Sequence, residues 1–342
     1  MHLLDQQLNL MIRGSFEEAW KINEILQETT PDDPRHAFNR GWFLIQQGKF
    51  QEGYQLLDAG RSIRVYGDLK INTSKPIWNK EDLHKKTVIL NLEGGLGDQI
   101  IHARFAKDIK NKGGKCIVCC NSELVDAISS IEGVDKCIHE DKVSKTKHDF
   151  WIPSFSAGWL FGYDFNTLPN KPYLQANKQS TEAWKYIINS NKIKIGIRWS
   201  GNPKFEHQQF RVFPAEKLIE FKKYKNVQLY SLQRDNDVKE LPDEIVDLKD
   251  LLLSWSDTLA AIENLDLVIT SCTSIAHAAS AMGKPTWVIV PILPYHIWTY
   301  GNEHSPWYQN TTKIFRQTKF ANWDEPFEQI DFELNKMFNL LQ

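Results

Sequence analysis

From Lys85 onward the chain repeats one pattern, a short apolar run followed by a stretch of helical period, in two separate series. Parallel strands must be joined by crossovers, and a helix is the usual crossover. The alternation therefore predicts parallel sheets with helices on both faces. In the first series TVILNL reads as a strand, and Asp98 to Lys112 as a helix with Ile101, Phe105 and Ile109 on one face, stopped by Gly113-Gly114. KCIVCC is the next strand, ELVDAISSI a helix, DKCIHE a short strand and DFWIPSF another. A polar stretch over 175–192 precedes the second series. There IKIGIRW is a strand, Pro214 opens a helix, VQLYSL is a strand, SDTLAAIENL a helix and LDLVITS a strand. TSIAHAASAM is a helix closed by Gly283, and PTWVIV is the last clear strand. Two tandem sheets of this kind are expected to leave a cleft where ligands meet the carboxyl ends of strands.

The residues before Lys85 read differently. Phe16, Ala19, Ile22 or Asn23, and Leu26 recur at helical spacing, and Pro31 and Pro34 punctuate. A second helix carries Gly41, where two helices can approach closely. Gly48 breaks it, and Tyr54 and Leu57 lie on a third. Pro31 and Gly41 with aromatics between them resemble the tetratricopeptide (TPR) spacing of about 34 residues. Fewer than three repeats make a thin solenoid, so this segment is expected to lean on the α/β part of the chain. With 342 residues, the chain exceeds what one core usually serves. The expected division is a helical TPR-like segment over 1–75, α/β domains over 85–185 and 192–320, and a C-terminal helix over 321–342 that packs back on the first α/β domain.

A net charge of −2 gives no basic surplus for nucleic acid or anionic lipid. Five cysteines are not framed as a disulfide scaffold, and no basic-plus-apolar leader opens the chain, so reduced cytosolic thiols are expected. The longest apolar stretch, PTWVIVPILPYHIW, is cut by prolines and falls short of the about 20 residues a bilayer needs.

Three loops carry polar chemistry. NLEGGLGDQ puts Gly94, Gly95 and Gly97 at a strand-to-helix turn that ends in Asp98. It is neither GxGxxG nor a P-loop, and no acidic residue ends the next strand, as a nicotinamide site requires. A tight turn with Asp98 as a plain helix cap is one reading. GIRWSGNPKFEHQQFRVFP follows a strand and holds Ser200, Gly201 and the cations Arg198, Lys204 and Arg211, a composition that can receive a diphosphate. TSCTSIAHAASAM puts Thr273 and Ser274 at a helix start, where hydroxyls, free N–H groups and the helix dipole suit phosphate oxygens, with His277 one turn on.

These stretches, with LYSLQ, LDLVITSCTSIAHAASAMGKPTWVIVP and HSPWYQNTTKIFRQ, occur in one order along nearly the whole chain. The ordered set resembles TPR-linked glycosyltransferases similar to glycosyltransferase family 9, the ADP-heptose:lipopolysaccharide heptosyltransferases. The resemblance implies an α/β fold of GT-B architecture, two Rossmann-like domains with donor on the second and acceptor on the first. It implies an inverting, metal-independent transfer with no cofactor beyond the nucleotide-diphosphate sugar. By the same resemblance Asp98 matches the proposed base, and Arg211 precedes Val212-Phe213-Pro214 as the family's cation precedes its aromatic-proline pair. Leu232 and Gln233, at a strand end, would meet base or ribose. The implied partners are the nucleotide sugar, a glycan or protein acceptor, and a protein met by the TPR-like segment. The implied place is cytoplasmic, peripheral at the inner membrane face. One position departs: where the family usually has aspartate before threonine, this chain has Cys272. Two alternatives therefore stay open, a catalytically degenerate scaffold or nucleotide-sugar-binding protein, and an epimerase or hydrolase of the nucleotide sugar. Asp235-Asn236-Asp237 spells DxD but reads as a solvated turn. Cys116-x-x-Cys119 is one pair inside a strand, too few ligands for structural zinc.

Overall fold

The computed structural model describes residues 2–67, 71–202, 208–234, 241–301, 303–308 and 311–339. The chain divides into two compact units. One holds Trp20–Gln175 and Pro306–Tyr308 and is called the first unit. The second unit holds Met1–Ala19, Ala176–Ser305 and Gln309–Gln342.

The first unit contains the parallel strands β1 (Thr87–Asn91), β2 (Lys115–Cys119), β3 (Val134–Ile138) and β4 (Phe150–Pro153), in the order β3-β2-β1-β4. Strand order reverses between β1 and β4, and this reversal is where doubly wound sheets open a crevice. Ile89, Ile117, Ile138 and Trp151 pack into its core. The central strand β1 reads as an apolar run because both of its faces are covered, whereas β3 at the edge exposes Asp135 and Lys136.

The helices at the start of the chain are α1 (Leu3–Ile12), α2 (Phe16–Thr29), α3 (Pro34–Gln46) and α4 (Phe50–Leu57). The boundary between units falls inside α2, after Ala19. Helices α3 and α4 cross at two glycines. A Cβ on Gly41 would lie 2.7 Å from the Gly53 carbonyl oxygen and 3.0 Å from the Leu57 nitrogen, so only glycine permits this approach. Three more helices of the first unit are α5 (Leu96–His102), α6 (Ala106–Asn111) and α7 (Val125–Ser129), followed by α8 (Ser154–Leu160) after β4. The helical segment meets the α/β part at α8, where Tyr66 stacks on Phe155 with ring centroids 3.8 Å apart. The helix expected over 98–112 is instead α5, a 3-10 turn at Ala103–Phe105, and α6. The tightened turn is where Arg104 points inward. Its guanidinium donates to the carbonyls of Ile101, Pro169 and Trp307 and lies among the rings of Tyr173, Trp307 and Tyr308.

The second unit holds α1 and, after residue 175, α9 (Lys178–Trp184). Its strands are β5 (Ile193–Arg198), β6 (Val227–Ser231), β7 (Ile245–Asp247), β8 (Leu267–Ser271), β9 (Thr286–Val290) and β10 (Thr312–Arg316). All are parallel, in the order β10-β9-β8-β5-β6-β7. Counted from β5 this is the 3-2-1-4-5-6 order of a dinucleotide-type sheet, with its reversal between β5 and β8. Helices α10 (Gln208–Arg211), α11 (Glu216–Ile219), α12 (Trp255–Glu263), α13 (Ser274–Ala281) and α14 (Asp324–Asn339) complete it.

The C-terminal helix does not follow the expectation that it packs on the first α/β domain. Phe327, Ile330 and Leu334 of α14 join the core of the six-stranded sheet, with Phe213, Phe221 and Trp323. The Phe213 and Phe327 rings meet edge-on at 5.1 Å, and the Tyr224 hydroxyl donates to Asp331 at 2.7 Å. The apolar stripe thus finds an aromatic floor within its own unit.

Candidate functional site

The first unit presents the glycine turn at the sheet's reversal. β1 ends, Glu93 follows, and Gly94 takes φ +74°, a left-handed backbone that glycine adopts without strain. A Cβ there would also lie 2.7 Å from the Asp98 carboxylate oxygen Oδ2. The Gly95 N–H donates to that same Oδ2 at 2.8 Å, so Asp98 does cap α5. Gly97 lies within α5. The Asp98 carbonyl accepts from His102 Nδ1 at 2.8 Å. Gln99 ties the turn to the end of β2: its amide nitrogen donates to the Gly94 carbonyl at 3.2 Å, and its oxygen accepts from the Asn121 N–H at 2.8 Å.

Beneath the turn lies an ion pair that no local pattern announced. Glu93 is 8% exposed. Arg61, in the 3-10 turn Asp58–Arg61 after α4, meets its two carboxylate oxygens with Nε at 2.7 Å and Nη2 at 2.8 Å. The Arg61 Nη1 donates to Asp58 at 2.7 Å, and Asp58 also accepts from the Ser156 hydroxyl and the Trp159 indole. Burial would lower the Arg61 pKa, but hydrogen bonds and charge from Glu93, with Asp58, more than offset it and raise it. The Glu93 N–H donates to the Ser154 hydroxyl at 3.0 Å. The helical segment therefore braces the residue that starts the glycine turn.

The second unit gathers the other candidates at its own reversal, between β5 and β8. Arg198 ends β5 and is buried. Its Nε donates to the Ser200 carbonyl at 2.9 Å and its Nη1 to the Leu232 carbonyl at 3.0 Å. The Ser200 N–H donates to Gln233 Oε1 at 3.2 Å. Leu232 is fully buried, so its contribution is this carbonyl rather than its side chain. Gly201 sits where a Cβ would come 2.8 Å from Arg211 Nη2 and 3.1 Å from Thr273 Cγ2, which brings these three residues together. Arg211 Nη1 donates to the Cys272 carbonyl at 3.1 Å. Thr273 is the N-cap of α13, and its backbone carbonyl accepts from the Ala276 N–H at 3.0 Å. Ser274 is the first residue of the helix. His277 is buried and stacks on Trp298, centroids 5.0 Å apart and planes 19° off parallel. Burial raises the Cys272 pKa, with Arg211 opposing, so the thiol adds no charge here.

A cation, two hydroxyl-bearing residues and a helix N-terminus at a strand-end crevice can hold an oxyanion. Lys204 and the DxD stretch Asp235-Asn236-Asp237 lie outside the described residues. Cys116 and Cys119 are buried in β2, and burial pushes the Cys119 thiol up to about 12. Among the described residues no helix is long and apolar enough to cross a membrane.

Two parallel-sheet units with N-terminal helices and a reversal in each sheet define a GT-B-like α/β fold. Solved structures share it. The chain superimposes on a glycosyltransferase family 9 protein from Veillonella parvula DSM 2008 with a TM-score of 0.51 at 12% identity, covering 77% of this chain and 91% of that one. It superimposes on ADP-heptose LPS heptosyltransferase II of E. coli with a TM-score of 0.50 at 11% identity, covering 73% and 99%. No family model matches the sequence, and no curated protein matches it.

Proposed function

We propose that the chain is an inverting, metal-independent glycosyltransferase that moves a sugar from a nucleotide-diphosphate sugar to an acceptor hydroxyl. The observation that carries this reading is the convergence of Gly201, Arg211 and Thr273 at the reversal of the second sheet. The donor's diphosphate would be met by Arg211, the Thr273–Ser274 helix start and Lys204, with nucleoside contacts from the Leu232 carbonyl and Gln233. His277 would flank the phosphates. On the other side of the reaction the acceptor hydroxyl gives its proton to Asp98 as its oxygen attacks the anomeric carbon. The bond from that carbon to the diphosphate breaks, and the nucleoside diphosphate leaves with the electron pair. In this reading residues 85–185 serve the acceptor and 192–320 the donor, in the cytoplasm, and the TPR-like segment over 1–75 meets a partner protein.

A thermal-shift screen across nucleotide sugars tests the binding, because a ligand of the folded state raises the melting temperature. With a donor in hand, Asp98→Asn should lower kcat by about 10²- to 10⁴-fold with nucleotide affinity retained. Undiminished turnover would refute Asp98 as base. Cys272 favours a second reading, a nucleotide-sugar-binding protein without turnover. Donor binding with no transfer to any acceptor and no hydrolysis of donor alone would support it.

A further inference from the structure

A concavity of about 480 Å³ lies in the first unit, apart from the glycine turn. Its walls come from two segments, and its lining includes Thr73, Lys75, Lys145, Thr146, Lys147 and His148. The first segment is anchored to β4: the Trp78 N–H donates to the Trp151 carbonyl at 2.9 Å, and the Trp151 indole to the Lys75 carbonyl at 3.0 Å. The second segment runs from the end of the 3-10 turn Glu140–Lys145 toward β4.

The buried His148 joins the two walls. Its Nδ1 faces the Thr146 carbonyl at 2.6 Å, so Nδ1 carries a proton. Its Nε2 lies 2.8 Å from the Thr73 hydroxyl, which accepts from the Lys75 N–H at 3.0 Å. His148 thereby ties the two walls of the concavity together. Among the described residues no carboxylate lines it. The neighbouring acids are engaged elsewhere: Asp149 accepts from the Thr87 N–H at 2.8 Å, and Asp141 pairs with Lys142 and His139 at 3.0 Å.

Lys75, Lys145 and Lys147 all line this one concavity, and like charges gathered there repel each other. A multiply charged anion relieves that repulsion, and lysine ammonium groups offer donors that suit phosphoryl oxygens. The volume falls in the range of small-ligand sites, about 300–1,000 Å³. The site is also remote from the turn. His148 lies before the amino end of β4, whereas Gly94 follows the carboxyl end of the parallel β1, a strand length of about 15 Å away.

We propose that this concavity is a second binding site, for a phosphate-bearing small ligand of about nucleotide or phosphosugar size. The site does not depend on glycosyl transfer, and its test does not use it. The probe is inorganic pyrophosphate at low salt. Lysine acylation by an N-hydroxysuccinimide ester, followed by peptide mass spectrometry, gives the readout at each lysine. At pyrophosphate a few times its Kd, labelling of Lys75, Lys145 and Lys147 should fall about fivefold. Labelling of Lys178 and Lys185 should not change. Lys145→Glu with Lys147→Glu, both exposed, should abolish protection of Lys75 while the melting temperature holds. Arg211→Ala should leave the protection intact, which separates this site from the one proposed for the donor. Vesicles of phosphatidic acid in phosphatidylcholine form a second arm. Protection by free pyrophosphate supports the proposal whether or not vesicles protect. Protection by vesicles alone, or equal labelling throughout, overturns it.

Discussion

Replacing Arg61 by methionine should destabilise the first unit strongly, through Glu93. Three donors reach the Glu93 carboxylate: Arg61 Nε, Arg61 Nη2, and the Phe155 N–H at 3.3 Å. The substitution removes the two short ones and leaves a carboxylate whose side chain is 6% exposed. Asp58 loses a partner too. It is 27% exposed, however, and keeps Ser156 and Trp159, so the penalty falls on Glu93. Breaking one side of a buried pair costs about 3–5 kcal/mol. For a unit of this size that is a fall in melting temperature of about 6–20 °C. An unpaired buried carboxylate has a raised pKa, so the folded variant binds a proton that the unfolded chain releases. Its stability deficit should therefore shrink as pH falls from 7 toward 5. Arg61→Met with Glu93→Met removes both charges and should recover most of the loss. Urea unfolding of the wild type, the two single variants and the double variant at both pH values closes the cycle. A loss under about 1 kcal/mol for Arg61→Met, or a double variant no more stable than it, would refute the bracing role.

His296 should contribute an acid weakness: burial, with the charge of His277, holds its pKa down to about 3. The unfolded chain takes up that proton below about pH 6.5 while the fold does not, so each pH unit from there toward 3 should cost about 1.4 kcal/mol, and His296→Gln should flatten this slope in unfolding curves. Gly41→Ala would gain about 1 kcal/mol in an isolated helix, but here the added carbon meets backbone of α4. A net loss of about 1–3 kcal/mol is expected, and a gain in denaturant midpoint would show that the helices can part freely. Gly201→Ala puts a methyl against Arg211 and Thr273 and should weaken calorimetric binding of a nucleoside diphosphate at least about tenfold, the effect of about 1.4 kcal/mol. Unchanged affinity would mean the ligand sits elsewhere.

Much of the fold is legible because strand and helix periods differ so sharply. Val88 to Leu90 and Val268 to Ile269 read as buried parallel strands, and they are. Gly41 marks a close crossing, and the crossing is there. Strand β7 is only three residues long, too short to carry a legible period. The apolar stripe of α14 says that the helix is covered on one side without saying by which sheet; Phe213 and Phe221 decide that, more than a hundred residues away. The strand-end loops stand out because glycine, serine and cations cluster there. The Arg61–Glu93 pair does not, since a lone arginine in a helical tail looks like any solvated cation until its partner is found. Cys272 marks a difference in charge, but its effect on the pocket depends on Arg211, whose tie to the Cys272 carbonyl only the fold reveals.

Pro306–Tyr308 belongs with residues that were made more than a hundred positions earlier. Trp307 supplies a carbonyl and a ring to Arg104, so the aromatic nest around that cation stays incomplete until the ribosome has passed residue 308. Maturation of this part of the molecule is then tied to late translation. A nascent chain halted after Gln175 would hold Arg104 with part of its enclosure missing.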